Sequence, residues 1–161
     1  MDIPSAPSFG QLAVPEIMKF QLNRHPMLFV DRITEVVPGK RAKGLKAFTF
    51  NEWFFPQHFE DDPNVPGFVQ IEALAQVFLM TFLTIEGLAG MKASALNIDN
   101  VRLRRKIIPG ETLSIEAELE EFKRGIAKGW ARGAIGSEAA VSARFTVGIP
   151  DLIKIHLPRD N

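Results

Sequence analysis

The chain has 161 residues, of which 46% are hydrophobic and 24% charged, a composition that suits one globular domain with a single sizeable core. Its 19 basic and 19 acidic residues cancel, which argues against nucleic acid as the main partner, and the absence of cysteine excludes disulfides, thiolate metal sites and a cysteine nucleophile. With no signal pattern at the N-terminus and no apolar run long enough for a bilayer, we expect a cytoplasmic protein that does not enter a membrane.

The first third of the chain predicts an irregular start followed by a hairpin. Residues 1–14, rich in Pro, Ser and Gly, predict a loose N-terminal arm before one domain over 15–161. A short helix is expected to begin with Pro15 at its first position. On either side of the Pro38-Gly39 turn, two apolar, β-branched runs predict paired strands at 27–37 and 41–50.

The centre of the chain holds one long helix candidate, over residues 68–87, after a proline-punctuated loop at 51–67. Its apolar residues run nearly all the way round, a pattern typical of a buried helix. The remainder alternates apolar and polar residues and predicts strands at 95–108, 112–122, 126–135 and 141–149. The order predicts an α+β fold with an antiparallel sheet wrapped round one buried helix.

Glu72 is an ionisable residue inside this apolar helix, and Gln76, four residues later, shares its face. A buried carboxyl is costly unless it is hydrogen-bonded, and desolvation raises its pKa towards the range of a general acid. The alternative is that this edge of the helix is wet, or that Glu72 only stabilises the positive helix N-terminus.

The loop before the helix supplies two more candidates. His58 has the side chain most often used to move protons near neutral pH, although a lone loop histidine is also commonly structural or solvated. Gly67 is placed at the helix N-terminus, where free N–H groups form an oxyanion site, but Pro-Gly is also a common way to enter a helix. Three scattered histidines without cysteine predict no metal site.

The chain resembles the 3-hydroxyacyl-[acyl-carrier-protein] dehydratases of bacterial fatty acid synthesis over about residues 25–147. The resemblance lies in three segments, HPMLFVDRITEVVPGKRAKGLKAFTFNEWFFPQHF, PNVPGFVQIEALAQ and IDNVRLRRKIIPGETL. It implies a hotdog fold, in which a bent antiparallel sheet wraps a long central helix, and a homodimer or higher assembly. It also implies a substrate carried on the phosphopantetheine of acyl carrier protein, and no cofactor.

The same resemblance assigns roles to the candidate residues. His58 of one protomer would face Glu72 of the other across a narrow tunnel, with His58 as the base and Glu72 as the acid. The Gly67 N–H would polarise the thioester carbonyl, and Gln76 would support Glu72. The densest basic cluster is then a candidate docking site for the acidic carrier protein, the alternative being a solvated strand end; it consists of Arg102, Arg104, Arg105 and Lys106.

Departures from the family pattern surround His58. Gln57, Glu60 and Asp61 stand where relatives usually have Gly and Pro-Gly, and we expect the two carboxylates to favour protonated His58. Ser94 falls near the place of a tunnel-gating tyrosine, and the chain has no tyrosine. A specialised dehydratase of polyketide or polyene synthesis therefore stays open, as do a hotdog thioesterase, an enoyl-CoA hydratase and a non-catalytic acyl-binding subunit.

Overall fold

The computed structural model describes residues 9–157, which form a seven-stranded antiparallel sheet and three helices. The strands follow the order β1-β2-β3-β5-β6-β7-β4 across the sheet. In chain order the elements are β1 (Leu12–Ala13), α1 (Val14–Phe20), β2 (Arg32–Val37), β3 (Arg41–Ala47), α2 (Gly67–Leu83), β4 (Ser94–Leu103), β5 (Thr112–Lys123), β6 (Ile126–Ile135), β7 (Glu138–Gly148) and α3 (Pro150–His156).

Helix α2 lies in the core and packs against β2, β3, β5, β6 and β7. Aromatic rings join the two layers, since Phe78 of α2 stacks on Phe145 of β7 with ring centroids 5.6 Å apart. A Cβ at Gly129 of β6 would lie only 2.7 Å from the Phe78 ring, so glycine is needed for this close approach. The predicted α+β arrangement, a buried helix wrapped by an antiparallel sheet, is confirmed.

Residues 9–157 leave one face of α2 and one edge of the sheet uncovered. Every residue of β4, the edge strand whose one partner within these residues is β7, is exposed. Its exposed side chains include Leu96, Ile98 and Leu103. The α2 residues that the sheet leaves partly or fully exposed recur at helical spacing and thus form one stripe: Gly67, Phe68, Ile71, Glu72, Ala75 and Leu79.

The predicted loose arm covers residues 1–14, of which residues 1–8 lie outside the described residues and residues 9–13 contact the sheet. Phe9 forms a bridge with Val36, and Leu12 is buried where β1 pairs with β2. Helix α1 begins at Val14, one residue before the predicted Pro15. The C-terminal helix α3 was not predicted.

Three strands are shorter than predicted, and for β2 and β4 the contacts show a tertiary reason. Strand β2 begins at Arg32 rather than 27, because the side chain of Gln76 bonds the backbone at Met27 and Phe29 in place of a neighbouring strand. Strand β4 ends at Leu103 rather than 108, since the chain then turns to the loop before α2, where Ile107 accepts a backbone hydrogen bond from Val65. Likewise β3 ends at Ala47 and α2 at Leu83, short of the predicted ends at 50 and 87.

Candidate active site

His58 lies at the end of a single 3₁₀ turn, Phe55–Gln57, and its backbone N–H donates to the carbonyl of Phe55. Its Nδ1 lies 3.0 Å from the carbonyl oxygen of Asn64. Because a carbonyl only accepts, Nδ1 is the ring nitrogen that donates to Asn64. Nε2 has no hydrogen-bond partner within residues 9–157, so it is the nitrogen of this half-buried ring that is available to a substrate.

Glu72 lies one turn into α2 on the uncovered stripe, half-buried. Burial raises the pKa of its carboxyl above the usual value, and the hydrogen bond from Gln76 opposes this by a smaller amount. Gln76 Nε2 donates to Glu72 Oε1 at 2.8 Å, and Asn23 Nδ2 lies 3.4 Å from the same oxygen. Oε2 receives no hydrogen bond in the described part of the chain, so a proton on this carboxyl belongs on Oε2.

The amide of Gln76 is fixed in one orientation because its oxygen and its nitrogen each bond a different backbone group. Its Oε1 accepts from the N–H of Phe29 at 2.8 Å, and its Nε2 donates to the carbonyl of Met27 at 2.6 Å. A flipped amide would lose both bonds and leave buried polar groups unpaired. Gln76 therefore presents only a donor to Glu72.

Gly67 is the first residue of α2, after Pro66 at the N-cap. Its N–H finds no acceptor among the described residues, as expected for the first turn of a helix. The leucine that ends β4 lies against it, since a Cβ at Gly67 would be 2.8 Å from Leu103 Cδ1. The Gly67 N–H is thus a hydrogen-bond donor available to an anion, next to the exposed edge of the sheet.

Comparison with known proteins decides the family. The model of the FabA-like domain matches residues 22–144. The chain belongs to the FabA-like family. It is 41% identical over 138 residues to the 3-hydroxyacyl-[acyl-carrier-protein] dehydratase FabZ of Desulforamulus reducens, a match that covers 86% of this chain and 97% of that protein. With the FabZ of Chloroflexus aggregans it shares 39% identity over 143 residues, 89% of this chain and 99% of that one.

Solved structures agree on the fold. The dehydratase heterocomplex ApeI:P of Xenorhabdus doucetiae superposes with a TM-score of 0.72 at 15% identity, covering 88% of this chain and 97% of that one. Cj0977, a sigma28-regulated virulence protein of Campylobacter jejuni, gives 0.65 at 11% identity, covering 84% and 89%. The predicted hotdog fold is confirmed, as is the resemblance to the dehydratase family.

The structure does not join His58 to Glu72 within one chain. No hydrogen bond or ion pair links the two side chains in residues 9–157. Glu60 and Asp61 are exposed and neither hydrogen-bonds the imidazole, so their expected influence on His58 stays a prediction. Ser94 begins β4 and is exposed.

Within the described range, no group of three or more His, Asp or Glu side chains forms a possible metal site, and no helix is long and apolar enough to cross a membrane.

The basic cluster divides into paired and unpaired cations. Arg105 is bound by Glu111 at 2.7 Å and by Glu138 at 3.3 Å, and Lys106 is bound by Asp62 at 2.5 Å. Arg102 and Arg104 are exposed and form no ion pair with the described acids; Arg104 donates to the hydroxyl of Ser142. Because β4 ends at Leu103, the predicted strand alternation does not continue through Arg104 and Arg105.

Asn23 is the contact to Glu72 that sequence reasoning missed. It lies 49 positions away, in the loop after α1, and only the fold brings its amide to the carboxyl. A local pattern has no means of finding it, since the contact depends on how Gln76 holds the Met27–Phe29 backbone against α2.

We predict that Glu72→Gln stabilises the protein more as the pH rises. Burial raises the pKa of Glu72 in the folded protein, so protonation of this carboxyl favours the folded state. The wild type has this stabilisation in full below the unfolded pKa of 4.5 and loses it as the pH rises through the folded pKa. Glu72→Gln should therefore raise the free energy of unfolding in urea by more at about pH 8 than at a pH below 4.5. The exposed Glu86→Gln is the control, and a gain from Glu72→Gln that does not grow with pH would contradict the assignment.

Proposed function

We propose that this protein dehydrates (3R)-hydroxyacyl thioesters on acyl carrier protein to trans-2-enoyl thioesters, in fatty acid synthesis or in polyketide or polyene synthesis. The observation that carries the proposal is the hydrogen bonding of the two side chains. His58 Nδ1 faces the carbonyl oxygen of Asn64, which leaves Nε2 without a partner in residues 9–157. Glu72 is a half-buried carboxyl whose pKa is raised by burial, and its Oε2 receives no hydrogen bond from the described residues. Elimination beside a carbonyl needs a base and an acid at once. The curated relatives at about 40% identity carry the name of this activity.

The reaction follows from these positions. His58 Nε2 takes the proton from the carbon next to the thioester carbonyl, and the electrons move into the carbonyl oxygen as an enolate. The Gly67 N–H stabilises that oxygen. Glu72 Oε2 then gives its proton to the hydroxyl, the carbon–oxygen bond breaks and water leaves, while the enolate electrons form the new double bond. Passage of the proton from the imidazolium to the carboxylate, through solvent, restores both groups.

The site is proposed to form between two copies of the chain. The uncovered stripe of α2, with Glu72 at its centre, and the exposed β4 edge are apolar surfaces that a monomer would leave in water. Gly67 contacts Leu103, so the start of α2 lies beside β4. A second copy paired at β4 would cover both surfaces and bring its own His58 loop to this helix. The proposed setting is the cytoplasm, with no cofactor.

We expect His58→Ala and Glu72→Gln each to lower the dehydration rate by roughly 100- to 10,000-fold without unfolding the protein. Because both groups act in one step, the double variant should be little slower than the slower single variant. Product analysis with 3-hydroxyacyl carrier proteins measures this, and parallel assays of acyl thioesters and of enoyl-CoA test the thioesterase and hydratase alternatives.

Controls for these variants are His156→Ala and Glu86→Gln, which change exposed residues of the same types. Both should keep the wild-type rate. Wild-type dehydration rates in the His58 and Glu72 variants would contradict the proposed catalytic roles. Release of free acid instead of enoyl product by the wild type would favour the thioesterase alternative.

Arg102 and Arg104 are proposed to dock the acidic carrier protein, because they are the cluster's exposed cations without an acid partner in residues 9–157. The double reversal Arg102→Glu/Arg104→Glu should raise KM for carrier-bound substrate by about 10-fold or more and leave a short pantetheine substrate unaffected. The control with the same charge change, Lys40→Glu/Arg124→Glu, alters the β2–β3 and β5–β6 turns. Equal loss on both substrates would indicate a damaged site and contradict docking.

A further inference from the structure

A buried lysine anchors the loop that carries His58. Lys46 of β3 is 5% exposed and points inward, in phase with Ala42 and Gly44. Its Nζ lies 2.5 Å from Glu52 Oε1 and 3.4 Å from Asp31 Oδ2. A lysine is almost never buried unless it is paired, so these two carboxylates are what allow it to stay in the core.

Glu52 lies in the loop that follows β3 and carries His58, and two backbone hydrogen bonds lead from it to the proposed base. The carbonyl of Glu52 accepts from Phe55 N–H, and the carbonyl of Phe55 accepts from His58 N–H, at 3.3 and 3.2 Å. Fixing Glu52 at one end of this ladder therefore restricts where the imidazole at the other end lies. Asn64 fixes the ring itself through Nδ1.

The aromatic packing of the loop depends on the same lysine. Lys46 Nζ lies 5.5 Å from the centroid of the Phe48 ring, and Phe48 packs edge-on against Phe54 with centroids 6.2 Å apart. Phe54 and Phe55 are both buried, and their rings are 4.8 Å apart. Lys46 thus contacts the segment before His58 in two ways, through its ion pair with Glu52 and through the Phe48 ring that packs on Phe54.

Asp31 completes the anchor on the sheet side. Its Oδ2 accepts from the backbone N–H of Ala47 at 2.7 Å and also faces Lys46 Nζ. Asp31 precedes β2 and Lys46 lies on β3. Through Lys46, the loop that contains Glu52 is therefore connected to both strands of the hairpin. The Lys46–Glu52 distance of 2.5 Å is that of a direct charge-assisted contact, with both side chains less than one-fifth exposed.

We propose that Lys46 is a positioning residue for His58, acting through Glu52, and this rests on the proposed role of His58 as the base. Removing the cation frees the loop, and His58 Nε2 then spends less time in the productive position. Misplacement of a catalytic group by about 1 Å costs on the order of 100-fold in rate. The loss falls on kcat, because Lys46 lies in the core and has no route to the substrate.

The test uses four variants of the full protein, the fourth of which, Glu52→Gln, is described below. Lys46→Met keeps the side-chain length and removes the charge, and it should lower kcat by about 10- to 100-fold with KM within about twofold of wild type. It also leaves Glu52 buried without its cation, so the melting temperature should fall. Lys46→Met/Glu52→Gln removes that unpaired charge and should recover much of the melting temperature while kcat stays low. The control, Lys43→Met, removes a half-exposed lysine of the same strand whose carboxylate partners are 3.8 Å away, and should change neither quantity.

Glu52→Gln alone covers the case in which Lys46→Met does not fold, since Lys46 keeps Asp31 as a partner. It should fold and still lose several-fold in kcat, on the order of the loss expected for a loosened loop. Amide hydrogen exchange gives a readout independent of activity: protection of the His58 N–H should fall in the Lys46 and Glu52 variants and stay unchanged in Lys43→Met.

The outcomes separate the two proposals. A wild type without dehydratase activity would end the proposed function, while exchange at the His58 N–H would still report on the anchor. A folded Lys46→Met or Glu52→Gln variant with wild-type kcat, or a double variant whose kcat returns with its melting temperature, would overturn the positioning role and leave Lys46 as a stabilising residue only.

Discussion

The burial of α2 is the constraint on which the rest of the structure depends. A helix that is apolar on nearly every side has to be covered on every side, and a single seven-stranded sheet curls round only part of it. The stripe that stays open contains Glu72, and the strand beside the start of the helix, β4, is an exposed edge with no second neighbour among the described residues. The proposed acid therefore lies on the surface that the proposed second copy would cover, so the oligomeric state and the chemistry are parts of one proposal.

Backbone groups orient the polar atoms of both proposed catalytic side chains. The Asn64 carbonyl engages Nδ1 of His58, so Nε2 is the nitrogen left for the proposed base. Met27 and Phe29 hold the Gln76 amide in one orientation, so Gln76 donates to Oε1 of Glu72 and Oε2 is left for the proposed acid. Backbone positions are set by the whole fold and resist local substitution. The proposed roles thus depend on the loop and the helix keeping their places.

Sequence periodicity predicted the elements whose burial is regular. The start of helix α2 and both ends of strands β5 and β6 were predicted within one residue, because a 3.6- or 2-residue repeat directly reflects which face is buried. The periodicity failed where a side chain from elsewhere replaces a strand partner, as Gln76 does at Met27 and Phe29. Lys46 shows the other limit: it takes an inward position next to Leu45, which points outward, so a hydrophobicity pattern assigns the two the wrong way round.

The sequence predicted some contacts of the candidate site residues and missed others, for physical reasons. Glu72 and Gln76 are four apart on one helix, so their contact followed from helix geometry. The tautomer of His58 depends on a backbone carbonyl, which leaves no trace in residue type. The sequence showed only the charge of the basic cluster. Of the acids that pair with Arg105 and Lys106, Glu138 and Asp62 come from segments that only the fold brings close.

Mixing two inactive variants tests most directly whether each active site is built from two protomers. His58→Ala and Glu72→Gln are unfolded together, refolded as an equimolar mixture and assayed on a 3-hydroxyacyl carrier protein. If His58 and Glu72 come from different protomers, half of the dimers are mixed and each has one intact site, so activity should recover to about a quarter of wild type. If both come from one chain, no mixed dimer has an intact site. A mixture no more active than its parents, although light scattering shows dimers, would contradict the account.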